Sequence, residues 1–238
     1  MIVCYFNMQK TYLIAGGSSG IGRALSQQLL EGGHRVIVLS REHRDLPESA
    51  EHYSVDFSSA ELVLPEITAE LHGIVYMPGT ILLKPFRSIG RADFVSDYQL
   101  NVLGAVEMIK KYQSLLSKSQ VTSILLMSTV AVGTGMPYHS LVASSKGAVE
   151  GLTRALAAEL SPNIRVNAMA PSLSDTPLAE KLLNTEEKKQ AGKERHPMKQ
   201  IGQANDIASY MTWLLSDSAK FITGQILSVD GGMGSLRK

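Results

Sequence analysis

Short apolar runs alternate with longer amphipathic segments along the chain, and this alternation predicts its elements. The apolar runs place strands at Tyr12–Ala15, Val36–Leu39, His52–Val55, Gly73–Tyr76, Ser123–Met127, Arg165–Ala168 and Gln225–Val229. The amphipathic segments place helices at Ile21–Glu31, Ser59–Glu70, Ala92–Leu116, Pro137–Leu160, Leu178–Gln190 and Ala204–Leu215. Strand and helix in turn argue for an α/β fold with a parallel sheet. Between the second and third strands lie only Ser40 to Glu51, with Pro47 among them, so that crossover is predicted to be a loop or a single turn. No internal repeat, linker or low-complexity tract interrupts the pattern.

One stretch breaks the alternation in an informative way. Ala15-Gly16-Gly17-Ser18-Ser19-Gly20-Ile21-Gly22 joins the first strand to the first helix. Glycines there let the backbone approach a pyrophosphate, and the helix N-terminus offers unpaired N–H groups and a positive dipole end. Gly16, Ser18, Ser19, Gly20, Ile21 and Gly22 are therefore candidate cofactor contacts.

Composition narrows the classes. At 238 residues the chain suits one domain over residues 8–238, with a single core. A net charge of +1 gives no electrostatic case for nucleic acid or an anionic membrane. No apolar run reaches transmembrane length, and residues 1–7 lack the basic start and long apolar stretch of a signal peptide. Those seven residues read either as an upstream extension or as residues foreign to the natural chain, ahead of a start at Met8-Gln9-Lys10, and the chain is read as cytoplasmic. One cysteine, Cys4, excludes an internal disulfide, and six histidines are scattered without metal-ligand spacing.

The strand ends carry the next clues. In a dinucleotide fold the end of strand two meets the adenosine ribose, where an acid would bind a 2′-hydroxyl and an arginine would accommodate a 2′-phosphate. Val38-Leu39-Ser40-Arg41 has no acid, and Ser40, Arg41, His43 and Arg44 favour NADP(H) over NAD(H). Asp56-Phe57 ends strand three, where the carboxylate either accepts from adenine or caps the next helix. Pro78-Gly79 marks a turn at the sheet's carboxyl edge, the ligand-binding side of open α/β sheets.

With these residues the chain resembles the short-chain dehydrogenase/reductase family, in particular its oxoacyl-carrier-protein reductase-like branch. Ala15 stands where the family's T-G-x-x-x-G-x-G loop has threonine, and Asn101-Val102-Leu103-Gly104 carries its helix asparagine. Asn163 to Pro171 matches the strand leading to its P-G turn, with Ser172 replacing the glycine. Asp175-Thr176-Pro177 and Val229-Asp230-Gly231-Gly232 match later segments. The resemblance spans Lys10 to Met233 and implies a doubly wound Rossmann-type fold with a seven-stranded parallel sheet. It also implies a nicotinamide dinucleotide near Pro171, Ser172 and Thr176, a homodimer or homotetramer, and a small carbonyl or alcohol substrate such as a ketone or acyl thioester.

The family moves a proton with Tyr-x-x-x-Lys on one helix, aided by a serine and an asparagine. The pair shares a helix face because four residues make about one turn, and the cation lowers a phenol otherwise near pKa 10. Lys146 is present here, but the position four before it is Val142. The serine position falls on Thr129, with Ser128 one residue further back. The family's N-N-A-G reads Tyr76-Met77-Pro78-Gly79. Three readings stay open. Another group supplies the proton: Tyr138, if a helix from Pro137 stacks it above Val142 and Lys146, or His139 or Ser140. Alternatively the fold binds cofactor without useful turnover, as a partner subunit or dinucleotide sensor. Or the valine is a change in an otherwise active enzyme. The charged run from Leu178 to His196 is either a solvated face or a lid whose basic residues greet an acidic substrate.

Overall fold

The computed structural model describes residues 9–236, so Cys4 and the extension at residues 1–7 lie outside the described residues. The chain runs β1 (Thr11–Ala15), α1 (Gly20–Glu31), β2 (Arg35–Ser40), β3 (Glu51–Ser54), β4 (Gly73–Tyr76), α2 (Arg91–Tyr98) and α3 (Gly104–Tyr112). It continues through β5 (Thr122–Met127), α4 (Ala131–Thr134), α5 (Ser140–Leu160), β6 (Ile164–Pro171) and β7 (Ser174–Asp175). The last elements are α6 (Glu180–Leu183), α7 (Glu186–Arg195), β8 (Gly202–Gln203), α8 (Ala204–Leu215) and β9 (Ile226–Val229). Seven strands form one parallel sheet in the order β3-β2-β1-β4-β5-β6-β9.

Both faces of the sheet are covered, which is why its central strands are continuously apolar. Along β1, Leu13 and Ala15 point to a layer containing Met108 of α3 and Val149 of α5. Tyr12 and Ile14 point the other way, onto Leu25 of α1 and Met211 of α8. The chain winds outward from β1 to β3, then returns to β4 on the other side of β1. This reversal opens a crevice at the carboxyl ends of β1 and β4, where open α/β sheets bind ligands.

The link between β2 and β3 holds no helix, as Pro47 predicts. Three helix expectations need correction. Ser59–Glu70 is not helical. Pro65 lies inside it, and its carbonyls find partners on α3 instead: Lys111 Nζ donates to Leu64 O at 2.9 Å and the Tyr112 hydroxyl to Pro65 O at 2.7 Å. Leu178–Gln190 is broken into a 3₁₀ turn at Pro177–Ala179, then α6 and α7, because Thr185 recaps the chain by accepting from Lys188 N at 3.3 Å. The segment Ala92–Leu116 is also divided, with a π turn over Gln99–Leu103 between α2 and α3. Such turns widen the helix locally and often mark functional sites.

Tyr76 supports that π turn from below by donating to Leu100 O. Burial pushes its phenol well above the usual range. Gly104 makes room for it, since a Cβ there would lie 2.3 Å from the Tyr76 hydroxyl oxygen. Gly104→Ala is therefore expected to destabilise the fold by about 1–3 kcal/mol through overpacking. Urea unfolding of the full chain checks this, and an unchanged midpoint would refute it.

Candidate active site

The glycine loop sits where the order of strands reverses. Gly16 adopts φ +77°, and a Cβ there would lie 3.3 Å from Pro78 N. A Cβ on Gly22 would come within 2.1 Å of the Gly16 carbonyl oxygen. These glycines let the loop fold back on α1 and close against the end of β4. Ser19 makes no side-chain capping bond and no acidic residue occupies the first turn of α1. The positive end of that helix is thus uncompensated, and Ser18, Ser19, Gly20 and Ile21 present it to a cleft of about 1010 Å³.

At one end of the cleft lie Ser40, Arg41, Arg44, Asp56 and Phe57. The Ser40 hydroxyl is engaged internally, donating to Glu42 O at 2.9 Å and lying 3.0 Å from His52 Nε2. Arg44 pairs with Glu42 at 3.2 Å. Arg41 has no ion pair among the described residues and is exposed. His43 stands outside the cleft wall, its ring edge-on to His52. Asp56 is held below the usual carboxylate range mainly by the Ser58 hydroxyl, then by the Ser58 N–H, with a smaller contribution from Arg41. Asp56 caps a turn rather than a helix, because the helix expected after it does not form.

The other end gathers Ser128, Thr129, His139, Val142, Lys146, Pro171, Ser172 and Thr176. Ser128 directs its hydroxyl inward to Glu150 Oε1 at 2.9 Å. Thr129 makes only a long contact to Pro171 O, at 3.4 Å, and accepts from Ala131 N at 3.3 Å. Lys146 is 5% exposed. Burial lowers its pKa to about 8, against an opposing pull from the Asp97 charge. Asn101 lies behind the wall in the π turn, its Nδ2 donating to Asp97 O at 2.9 Å and its Oδ1 without a partner among the described residues. A Cβ on Gly79 would lie 3.0 Å from that Oδ1 and 3.2 Å from Lys146 Nζ, so both groups converge on this glycine.

Tyr138 does not join them. Helix α5 starts at Ser140, and Tyr138 precedes it with φ +68° and 59% exposure, outside the cleft. The phenol therefore does not stack one turn above Val142, contrary to the sequence expectation. His139 does reach the cleft, with its ring N–H donating to Pro137 O at 2.8 Å. Ser140 does not line it.

Two residues escaped sequence reasoning. Asp97 is buried beside Thr80, whose hydroxyl donates to it, and no motif flags such an acid. His196 lines the cleft against Ser172, although in sequence it is only the last member of a charged run.

Comparison with known proteins gives this geometry a family. A family model described as enoyl-(acyl carrier protein) reductase matches residues 15–234. A tropinone reductase homolog of Arabidopsis thaliana is 33% identical, covering 93% of this chain and 91% of its own length. The chain belongs to the short-chain dehydrogenase/reductase family. Among solved structures, Thermoplasma acidophilum aldohexose dehydrogenase superposes with a TM-score of 0.86 at 26% identity, covering 96% of this chain and 95% of its own. The Pseudomonas aeruginosa RhlG/NADP complex gives 0.85 at 26% identity, covering 97% and 98%. The doubly wound Rossmann-type sheet and the cleft at its reversal point are thus those of an NAD(P)-dependent oxidoreductase family.

Proposed function

We propose that this short-chain dehydrogenase/reductase uses NADP(H) to interconvert a carbonyl and an alcohol on a small molecule such as a ketone or acyl thioester. The observation that carries this reading is one continuous cleft joining the uncapped N-terminus of α1 and Arg41, which has no ion pair among the described residues, to the buried Lys146. The residues fit a dinucleotide. The loop from Gly16 to Gly22 would hold the pyrophosphate, Arg41 the 2′-phosphate, and Asp56 and Phe57 the adenine. Pro78, Gly79, Pro171, Ser172 and Thr176 border the place left for the nicotinamide end. RhlG, solved with NADP, supports the choice of phosphate-bearing cofactor.

The cofactor supplies hydride when bound, so the protein must hold the substrate oxygen and move a proton. Thr129 offers its hydroxyl to that oxygen, since Ser128 is committed to Glu150. Lys146 and Asn101 would face the cofactor ribose and the proton path, because both converge behind Gly79. The reading includes a homodimer or homotetramer, supported by exposed Val95, Tyr98 and Leu103 on α2 and its π turn.

Fluorescence titration with NADPH and NADH, followed by NADPH oxidation against β-ketoacyl thioesters, ketones and quinones, tests the reading. Binding without turnover would instead identify a cofactor-binding protein. Arg41→Ala is expected to weaken NADPH about 10–100-fold, as for a lost charge-assisted bond, while leaving NADH unchanged. Equal effects on both cofactors would refute the assignment of Arg41.

A further inference from the structure

We propose that Ser172 and His196 form a proton-transfer pair serving the substrate oxygen at the nicotinamide end of the cleft. The proposal rests on the oxidoreductase reading above. His196 is 1% exposed. Its Nδ1 lies 2.8 Å from Gly192 O and its Nε2 2.8 Å from Ser172 Oγ. A carbonyl oxygen only accepts, so Nδ1 carries the proton in that bond. The neutral ring then turns the Nε2 lone pair toward Ser172, and the hydroxyl donates to it. The protonated ring reverses the bond: Nε2–H donates to Ser172 Oγ and frees the serine proton for a group in the cleft. A buried histidine fixed by a backbone carbonyl and linked to a hydroxyl is thus wired to pass one proton in either direction.

The pair lies on the cleft wall next to the strand end that Thr129 contacts. The Pro171 carbonyl accepts from Thr129 Oγ1 at 3.4 Å and from Val130 N at 3.2 Å, which brings Ser172 one residue from the hydroxyl offered to the substrate. Ser172 and His196 both line the cleft. The tether is also fixed at its far side, since Ser172 N donates to Val229 O at 3.4 Å and the Ser174 hydroxyl to Ser172 O at 3.0 Å. In reduction, bound NADPH would supply the hydride to the carbonyl carbon and be left as NADP+, and the C=O π pair would move to oxygen. That oxygen takes the Ser172 proton, Ser172 takes the Nε2 proton, and His196 is left neutral. Oxidation runs the same steps backward. Ser172 is the catalytic residue of the pair and His196 the group that reloads it.

The test uses the full chain with NADPH and three probes, a β-ketoacyl thioester, an aliphatic ketone and an o-quinone. Ser172→Gly is the informative variant, because glycine is the residue the family resemblance places there, and urea unfolding of the same variant separates a lost proton from the loss of a partner for buried His196. It is expected to lower kcat by about 10²-fold or more while KM and the NADPH Kd stay within about twofold. Ser172→Thr, which keeps a hydroxyl, is expected to stay within about tenfold of the wild type. Wild-type kcat in Ser172→Gly overturns the pair alone and leaves the oxidoreductase reading standing. Wild-type protein that fails to bind NADPH, or binds it and reduces none of the probes, overturns both.

Discussion

Tyrosine at position 142 is expected to make reduction independent of Ser172. Position 142 lies one turn before Lys146 on α5, and both side chains line the cleft. A phenol placed there would stand about 5–6 Å along the helix from the Lys146 origin. A neighbouring ammonium favours the phenolate and draws the phenol down from about 10. The resulting acid would face the Thr129 hydroxyl without needing His196. In the Ser172→Gly background, Val142→Tyr should therefore raise kcat by about 10²–10⁴-fold, the usual scale of a positioned general acid. In the wild-type background the gain should be smaller, because a donor is already in place. Steady-state kinetics of the four combinations measures this coupling directly. Equal gains in both backgrounds would mean that Ser172 carries no proton. No gain in either would mean that the cleft has no room for a phenol at position 142.

Much of this site is legible in the chain, and the parts that are not share a cause. The glycine loop is readable because backbone geometry demands it: a Cβ at Gly22 would strike the Gly16 carbonyl, so residue type and shape are tied one to one. The central strands are readable because burial on both faces leaves their runs uniformly apolar. Ser59–Glu70 misleads because its spacing imitates a helix while Lys111 and Tyr112, far away in sequence, take its carbonyls. Tyr138 misleads in the same way. Its spacing suits a helix face, but the turn before α5 gives it a positive φ and turns it to solvent. Asp97 and His196 are invisible to local patterns, since each acquires its role from a partner brought by the fold: Thr80 in one case, Ser172 and the Gly192 carbonyl in the other.

Lys146 carries the largest expected effect on stability, and its sign is opposite to that of most core substitutions. Burial lowers its pKa from 10.5 to about 8, with the Asp97 charge recovering only part of the loss. In the unfolded chain the ammonium keeps its proton to the higher value. Between about pH 8 and 10.5 the unfolded state thus binds more protons than the folded state, and stability rises with pH across that window. Below pH 8 both states are protonated and the burial penalty is present in full, about 3 kcal/mol at roughly 1.4 kcal/mol per pKa unit. Methionine is similar in length and carries no charge to desolvate. Lys146→Met is accordingly expected to be more stable than the wild type by about 2–3 kcal/mol at pH 7, with the difference shrinking as pH rises from 8 and vanishing above 10.5. Urea unfolding at intervals across pH 7–11 reads the convergence, and a difference independent of pH would refute it. The same variant should lose most NADPH-dependent turnover, because Lys146 Nζ and Asn101 Oδ1 no longer converge behind Gly79. A cation kept in a place where it costs stability is best explained by what it does for the bound cofactor and the moving proton.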